Sequence, residues 1–198
     1  MPISITGTGT ITGISAGGLP DDCITTAEIA GSAVTTAKLA QPLTLATAQA
    51  TTSGTAIDFT GIPSWVKRIT VMFNGVSTNG TSTPEIRIGS GSIESSGYLG
   101  SAQNIDNLAI SNSVNHSTGF RLCGSTGAGV VFYGNSVITH MGSNIFTFVN
   151  QLARTDIAAQ FSSSGRKTIS GTLDRIQVTT FNGTDTFNAG SVNIMYEG

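Results

Sequence analysis

The segment Trp65–Gly75, "WVKRITVMFNG", decides the fold class of this chain. In an extended chain, Ile69, Val71 and Phe73 fall on one face, because successive side chains point to opposite sides. Such alternation is typical of a β-strand with one buried face. The dipeptide Asn74-Gly75 follows the run and favours a turn, because both residue types tolerate positive φ.

The same pattern recurs on both sides of this segment. It is found in "TAIDFTGI" from Thr55, in "NIFTFVNQ" from Asn144 and in "AGSVNIMYEG" from Ala189. Runs of this kind at this spacing, with almost no helical periodicity, predict about eight to ten strands. We therefore expect an all-β head domain, a β-sandwich that is jelly-roll-like, over residues 51–198.

Composition supports the same fold class and excludes some functions. Charged residues make up 10% of the chain and glycine accounts for 25 of its 198 residues. The net charge of −2 provides no basic field, so nucleic acid is not expected as a ligand. No apolar run approaches the length of a membrane span, and no membrane insertion is expected. The start "MPISITGTGT" lacks the pattern of a signal peptide, so we expect the chain to be made and assembled in a cytoplasm.

A short repeat precedes the head. "ITTAEIAGSA" is followed at once by "VTTAKLAQPL", which places apolar residues at every fifth position: Ile24, Ile29, Val34 and Leu39. One chain cannot bury so thin a stripe, whereas three chains around an axis can. We therefore predict an intertwined trimeric stalk over residues 21–50, preceded by an extended segment over residues 1–20, to which the family resemblance described below assigns attachment. A loosely ordered linker is the alternative for the repeat.

No catalytic motif is present, and the candidate metal ligands are sparse. His116 and His140 have no second histidine or cysteine at metal-ligand spacing, so each is expected at a surface or interface. Cys23 and Cys123 are a hundred residues apart and are expected as free buried thiols, with a disulfide as the alternative. The acidic residues are scattered, and no cofactor, metal or catalytic residue is predicted.

Binding residues are expected on loops that a rigid scaffold holds in place. The most polar stretches are Ser111–Gly119 and Asn74–Thr83. The candidate receptor-binding residues within them are Ser111, Asn115, His116, Asn79 and Thr81. The single tryptophan, Trp65, starts the strongest strand and is expected to anchor the core or an interface rather than to stack on a sugar.

Two parts of the chain resemble bacteriophage tail-fibre proteins. The N-terminal "GTITGISAGGLPDD" and "ITTAEIAGSAVTTAKLA" resemble the glycine-rich element and "TTAKLA"-type repeats of those fibres. Later segments, among them "TSGTAIDFTGIPSWVKRITVMFNGVSTNGTS" and "SGRKTISGTLDRIQVTT", resemble a C-terminal domain of phage fibres. The resemblance implies a homotrimeric virion protein, held to the particle by its N-terminal part, whose C-terminal domain binds a bacterial surface polysaccharide or outer-membrane protein. It does not imply an enzyme.

The chain is shorter than typical fibres, which bears on its place in the particle. A short tail fibre or tail-tip subunit is the main expectation, and a capsid decoration protein or head fibre is the alternative. In either case the protein is expected on the virion, on the tail or capsid surface. A glycan depolymerase is disfavoured, because it needs paired carboxylates and such tailspikes are usually much larger.

Overall fold

The computed structural model describes Val34, Lys38 and residues 41–106, 110–154 and 156–198, and it gives no side-chain description for residues 110–112. The described residues form fourteen strands and no helix, and every strand pairing is antiparallel. The expectation of an all-β fold is confirmed. More strands are present than the eight to ten predicted, because pairings of only two residues leave no alternating run in the sequence.

The strands follow one another without interruption by other elements. In chain order they are β1 (Thr44–Leu45), β2 (Gln49–Ala50), β3 (Ala56–Thr60), β4 (Arg68–Thr78), β5 (Pro84–Ser90), β6 (Ser92–Ile93), β7 (Tyr98–Asp106), β8 (Ile110–Asn115), β9 (Phe120–Arg121), β10 (Phe132–Gly142), β11 (Ile145–Arg154), β12 (Ala159–Thr168), β13 (Arg175–Thr180) and β14 (Phe187–Glu197).

The strands form two sheets. The large sheet has nine strands in the order β1-β14-β4-β10-β11-β12-β7-β8, with β2 also paired to β14. The small sheet has five strands in the order β3-β13-β5-β6, with β9 also paired to β5. Many neighbours in each sheet are distant in sequence, so most contacts depend on the complete chain.

The inner faces of the two sheets share one hydrophobic core. The large sheet contributes Val71, Ile138 and Phe148, and the small sheet contributes Ile88 and Val178; all five are at most 1% exposed. Since burial of such a side chain stabilises a fold by about 1.5–3 kcal/mol, the alternating pattern of each strand fixes which face turns inward. In β4, Ile69, Val71 and Phe73 are buried as predicted.

The turn predicted at Asn74-Gly75 is wrong. Both residues lie inside β4, where Tyr133 pairs with Asn74 and Phe132 pairs with Val76, so that Gly75 is an extra residue. Gly75 has a φ of 68°, as expected for the glycine of a β-bulge. A bulge and a tight turn both require positive φ, and the dipeptide alone does not distinguish them.

Gln41–Gly198 form one compact unit. Within it, Thr44–Leu45 and Gln49–Ala50 pair with β14, so the large sheet includes part of the segment predicted as stalk or linker. Of the predicted stalk residues, Ile24, Ile29 and Leu39 lie outside the described residues, and Val34 is 56% exposed in the single chain. The predicted attachment segment over residues 1–20 also lies outside the described residues.

Candidate functional site

The unit has two distinct ends, which the direction of its strands defines. Gln41 and Gly198 lie together beside Trp65, since a Cβ added at Gly198 would be 2.6 Å from the Trp65 carbonyl and 3.0 Å from Gln41 Oε1. We call this the terminal end. From here β4 runs for eleven residues to Thr78, a distance of about 35 Å, and β14 returns antiparallel to it. The loops beyond Thr78 therefore lie at the opposite end, the loop end.

Two loops at the loop end are hydrogen-bonded into one surface. The backbone N–H of Thr186 donates to Asn79 Oδ1 at 2.8 Å, and the N–H of Asn79 donates to the Thr186 carbonyl at 2.9 Å. Asp185 Oδ2 accepts from the Ser82 N–H at 2.8 Å. A Cβ at Gly80 would lie 2.0 Å from that same carboxylate oxygen, so a larger residue there would displace the Asp185 side chain from this arrangement. The loops 79–83 and 181–186 thus hold each other in a fixed arrangement.

A cation and an aromatic ring meet beside these loops. The guanidinium carbon of Arg121 lies 3.6 Å from the centroid of the Phe181 ring, and Phe181 is 41% exposed. The Phe181 N–H donates to the Thr83 carbonyl at 2.9 Å, which joins the ring to the first loop. Within the described part of the chain, the buried Nε of Arg121 has no hydrogen-bond partner. The guanidinium thus covers one face of the exposed Phe181 ring, and the rest of the ring offers an apolar surface suited to stacking.

A buried carboxylate lies on the small-sheet strand that pairs with β9, the strand of Arg121. Glu85 is fully buried, accepts from Arg87 Nε at 2.7 Å and accepts from Thr118 Oγ1 at 3.1 and 3.0 Å. Arg121 is its neighbour on β9. A Cβ at Gly119 would lie 2.7 Å from Glu85 Cδ, so the loop packs closely over the carboxylate. The carboxylate of Glu85 thus has its hydrogen-bond partners within the protein, as it must, because a buried charge without partners is strongly unfavourable.

His116 is buried, contrary to the expectation of a surface or interface histidine. It is 6% exposed, and its ring stands edge-on to Phe120 and Phe148. Its Nδ1 accepts from the Arg121 N–H at 3.2 Å, which leaves Nε2 protonated to donate to the Ser164 carbonyl at 3.1 Å. Burial lowers the pKa of His116 to about 4. The neutral ring positions the Arg121 backbone and does not face a ligand.

The structure does not bring the other predicted loop residues to the loop end as one site. Asn79 and Thr81 are exposed in the first loop, and Asn79 is held by Thr186. Ser111 and Asn115 lie in β8, an edge strand of the large sheet. The prediction of a loop over Ser111–Gly119 is therefore wrong for its first part, as far as Asn115. Five strand spacings separate β8 from β4, a distance of about 24 Å.

The remaining candidates are structural. Cys123 is a free, fully buried thiol, as expected, and burial raises its pKa to about 12. Cys23 lies outside the described residues. Trp65 packs against the core with its ring centroid 5.9 Å from that of Tyr196, in agreement with its predicted role as a core anchor. His140 is half-buried and stacks on Phe146 at 4.7 Å.

Sequence reasoning missed Arg121 and Phe181. Phe181 directly precedes the turn dipeptide Asn182-Gly183, a position from which an aromatic ring reaches the loop surface. That signal was present in the sequence. Arg121 gave no signal, because its partner lies sixty residues away and the pairing arises only when β9 joins β5.

The described residues contain no cluster of three or more histidine, cysteine, aspartate or glutamate side chains able to hold a metal ion. Within the same residues, no helix has the length and apolar character needed to cross a membrane. No family model, curated protein or solved structure matches this chain.

Proposed function

We propose that this protein is a short tail fibre or tail-tip subunit of a tailed bacteriophage, which attaches to the host surface by non-covalent binding. In this proposal the chain is a homotrimer on the virion, with a stalk formed by the repeat and a jelly-roll-like head. Its N-terminal segment docks on other virion proteins. Its ligand is a bacterial surface polysaccharide or outer-membrane protein, and no bond is made or broken.

The polarity of the unit is the observation that carries this proposal. The chain enters the unit at Gln41, at the terminal end, and the fixed loops containing Asn79 and Phe181 lie about 35 Å away at the loop end. If the N-terminal segment attaches the chain to a particle, the terminal end faces the particle and the loop end faces away from it. Loops held by a rigid scaffold are where binding residues concentrate.

The chemistry of the loop end suits a carbohydrate or a polar protein surface. Thr81 and Thr184 are exposed and offer neutral hydrogen-bonding groups, and Phe181 adds an aromatic ring beside them. Each such site would bind weakly. Three copies held together raise the effective concentration of the second and third sites, so attachment strengthens without a larger contact surface.

A cell-binding assay tests the proposal. Fluorescently labelled full chain is incubated with a panel of bacterial strains, and bound fluorescence is measured by flow cytometry. We expect binding to a subset of strains, with at least a tenfold weaker apparent affinity for Phe181→Ala. The control Thr172→Ala changes an exposed loop residue at the terminal end and keeps wild-type binding. Equal binding of Phe181→Ala and wild type would contradict the assignment of the loop end.

Two further measurements separate this proposal from its competitors. Gold-labelled antibody on intact particles is expected to mark the tail, and label on the capsid would favour a decoration protein or head fibre instead. Incubation with surface glycan from a bound strain is expected to release no new reducing ends. Their release would indicate a depolymerase and contradict binding without cleavage.

A further inference from the structure

The outer face of the large sheet is uncharged across its centre. Strand register aligns its outward side chains into rows that cross the sheet, because directly paired residues share a face. One row contains Met195, Thr70, Val137, Val149, Ser164 and Ser101. The next contains Asn193, Met72, Asn135, Gln151, Ser162 and Gln103. We call the two rows and the outward residues beside them the outer sheet face.

Large apolar side chains are exposed on this same face. Val149, at its centre, is 56% exposed, and towards its margins Leu45, Leu99, Tyr133 and Ile105 are 64%, 54%, 39% and 37% exposed. Isolated exposed apolar residues are ordinary on protein surfaces, but a contiguous group of them marks an interaction surface. The contiguous part here is one row, in which Leu45, Met195, Val137 and Val149 are interrupted only by Thr70. The other exposed apolar side chains on this face lie at its margins.

The low charge of this face is not merely a consequence of the composition of the chain. The outer face of the small sheet carries charged groups in hydrogen-bonded pairs. Asp58 accepts from Gln177 Nε2 at 2.9 Å, and Asp174 accepts from Arg175 Nε at 2.8 Å. On the large sheet, the charged residues Glu197, Arg68 and Arg166 lie in one row at the margin of the outer face, and the two central rows carry no charge.

The size of the outer sheet face matches that of a subunit interface. Eight strands spaced about 4.8 Å apart, with residues rising about 3.4 Å along each, cover on the order of 1,000 Å². A stable protein interface needs about 800 Å² from each partner. Burial of this face would desolvate no ion at its centre, because the polar groups there are neutral amides and hydroxyls that can bond across an interface.

We infer that the outer sheet face is the surface through which copies of this chain pack against one another. The inference rests on the proposed homotrimer and assigns its contact surface in the head. A neighbouring copy brings the same uncharged central rows, so contact between these rows buries no charge, while Glu197, Arg68 and Arg166 lie along the margin of the face. The charged outer face of the small sheet then remains in solvent.

Mass and solvent accessibility of the full chain together test this inference. Light scattering gives the mass in solution, and hydroxyl-radical footprinting read by mass spectrometry gives the reactivity of individual side chains. We expect a trimer in which Leu45, Leu99 and Val149 are protected. Phe181, which is 41% exposed and lies at the loop end, serves as an internal reference that stays reactive.

A charge at the centre of the face provides the matched perturbation. Val149→Lys is expected to weaken association at least tenfold, or to raise the labelling of Leu45 and Leu99 at least threefold where the N-terminal segment still holds the chains together. Thr60→Lys adds the same charge at an exposed position on the outer face of the small sheet and is expected to behave as wild type.

The outcomes separate this inference from the proposed function. A trimer whose Leu45, Leu99 and Val149 react as strongly as Phe181 overturns the inference and leaves the trimer intact. A monomer overturns both the inference and the proposed homotrimer. Binding to bacteria is measured independently in the cell assay, so loss of that activity alone does not bear on the outer sheet face.

Discussion

Replacement of Asn150 by alanine is expected to destabilise the protein severely, because this side chain joins two parts of the fold. Asn150 lies on the inner face of β11 and is fully buried. Its Nδ2 donates to the Leu122 carbonyl at 2.8 Å, and its Oδ1 accepts from Ser136 Oγ at 2.8 Å. The first bond ties the segment after β9 to the large sheet, and the second links β10 to β11.

The magnitude follows from the groups that the substitution leaves behind. The Leu122 carbonyl and the Ser136 hydroxyl would both be buried without a partner, at about 1–3 kcal/mol each. We therefore expect the free energy of unfolding to fall by about 4 kcal/mol, a large share of the roughly 5–15 kcal/mol of a typical domain. In the double variant with Asn150→Ala and Ser136→Ala, the Ser136 hydroxyl that would lack a partner is itself removed. The free energy of unfolding should therefore fall by less than the sum of the two single-variant losses.

Urea denaturation followed by the fluorescence of Trp65, the single tryptophan, measures this change. Asn188→Ala is the control, because Asn188 is exposed, and its free energy of unfolding should change by no more than about 0.5 kcal/mol. If Asn150→Ala lowered the free energy of unfolding by less than about 1 kcal/mol, the reasoning would be refuted. Such a result would mean that the Leu122 carbonyl and the Ser136 hydroxyl find other hydrogen-bond partners.

Two further predictions concern His116 and the backbone beneath it. Because burial lowers the pKa of His116 from its ordinary value of 6.5 to about 4, the unfolded chain takes up a proton between these two values, whereas the folded chain does not. The free energy of unfolding should therefore fall by up to about 3 kcal/mol as the pH drops through that window, in urea titrations of wild type and of His140→Gln but not of His116→Gln. Gly100→Ala would place a Cβ 2.2 Å from the Ser164 carbonyl and 2.6 Å from His116 Cδ2, at a φ of 137°, so we expect a melting temperature at least 10 °C below wild type. Gly91→Ala is the control, because Gly91 has a φ of 71° but an added Cβ would meet no atom within 4 Å, so only backbone strain of about 1–2 kcal/mol is introduced. An equal loss of stability in the two variants would contradict the steric argument.

The sequence by itself determined the fold class, the position of the long strands and the face that each strand buries. In β4, β11 and β14 the alternation of side chains is a local property, and the hydrophobic effect makes the apolar set face inward wherever the strand lies. Burial of Cys123 and packing of Trp65 against the core were predictable for the same reason.

Only the tertiary structure decided the features that depend on which strands meet. Asn74-Gly75 is a bulge because β10 and β14 pair on both sides of it, whereas the sharp hairpin turn falls at Ser143 and Asn144, with φ of 51° and 58°. His116 is buried because Gly100 and Gly165 leave room for its ring. Arg121 reaches Phe181 only after β9 pairs with β5. Each of these contacts joins residues distant in sequence, and local pattern carries no information about such partners.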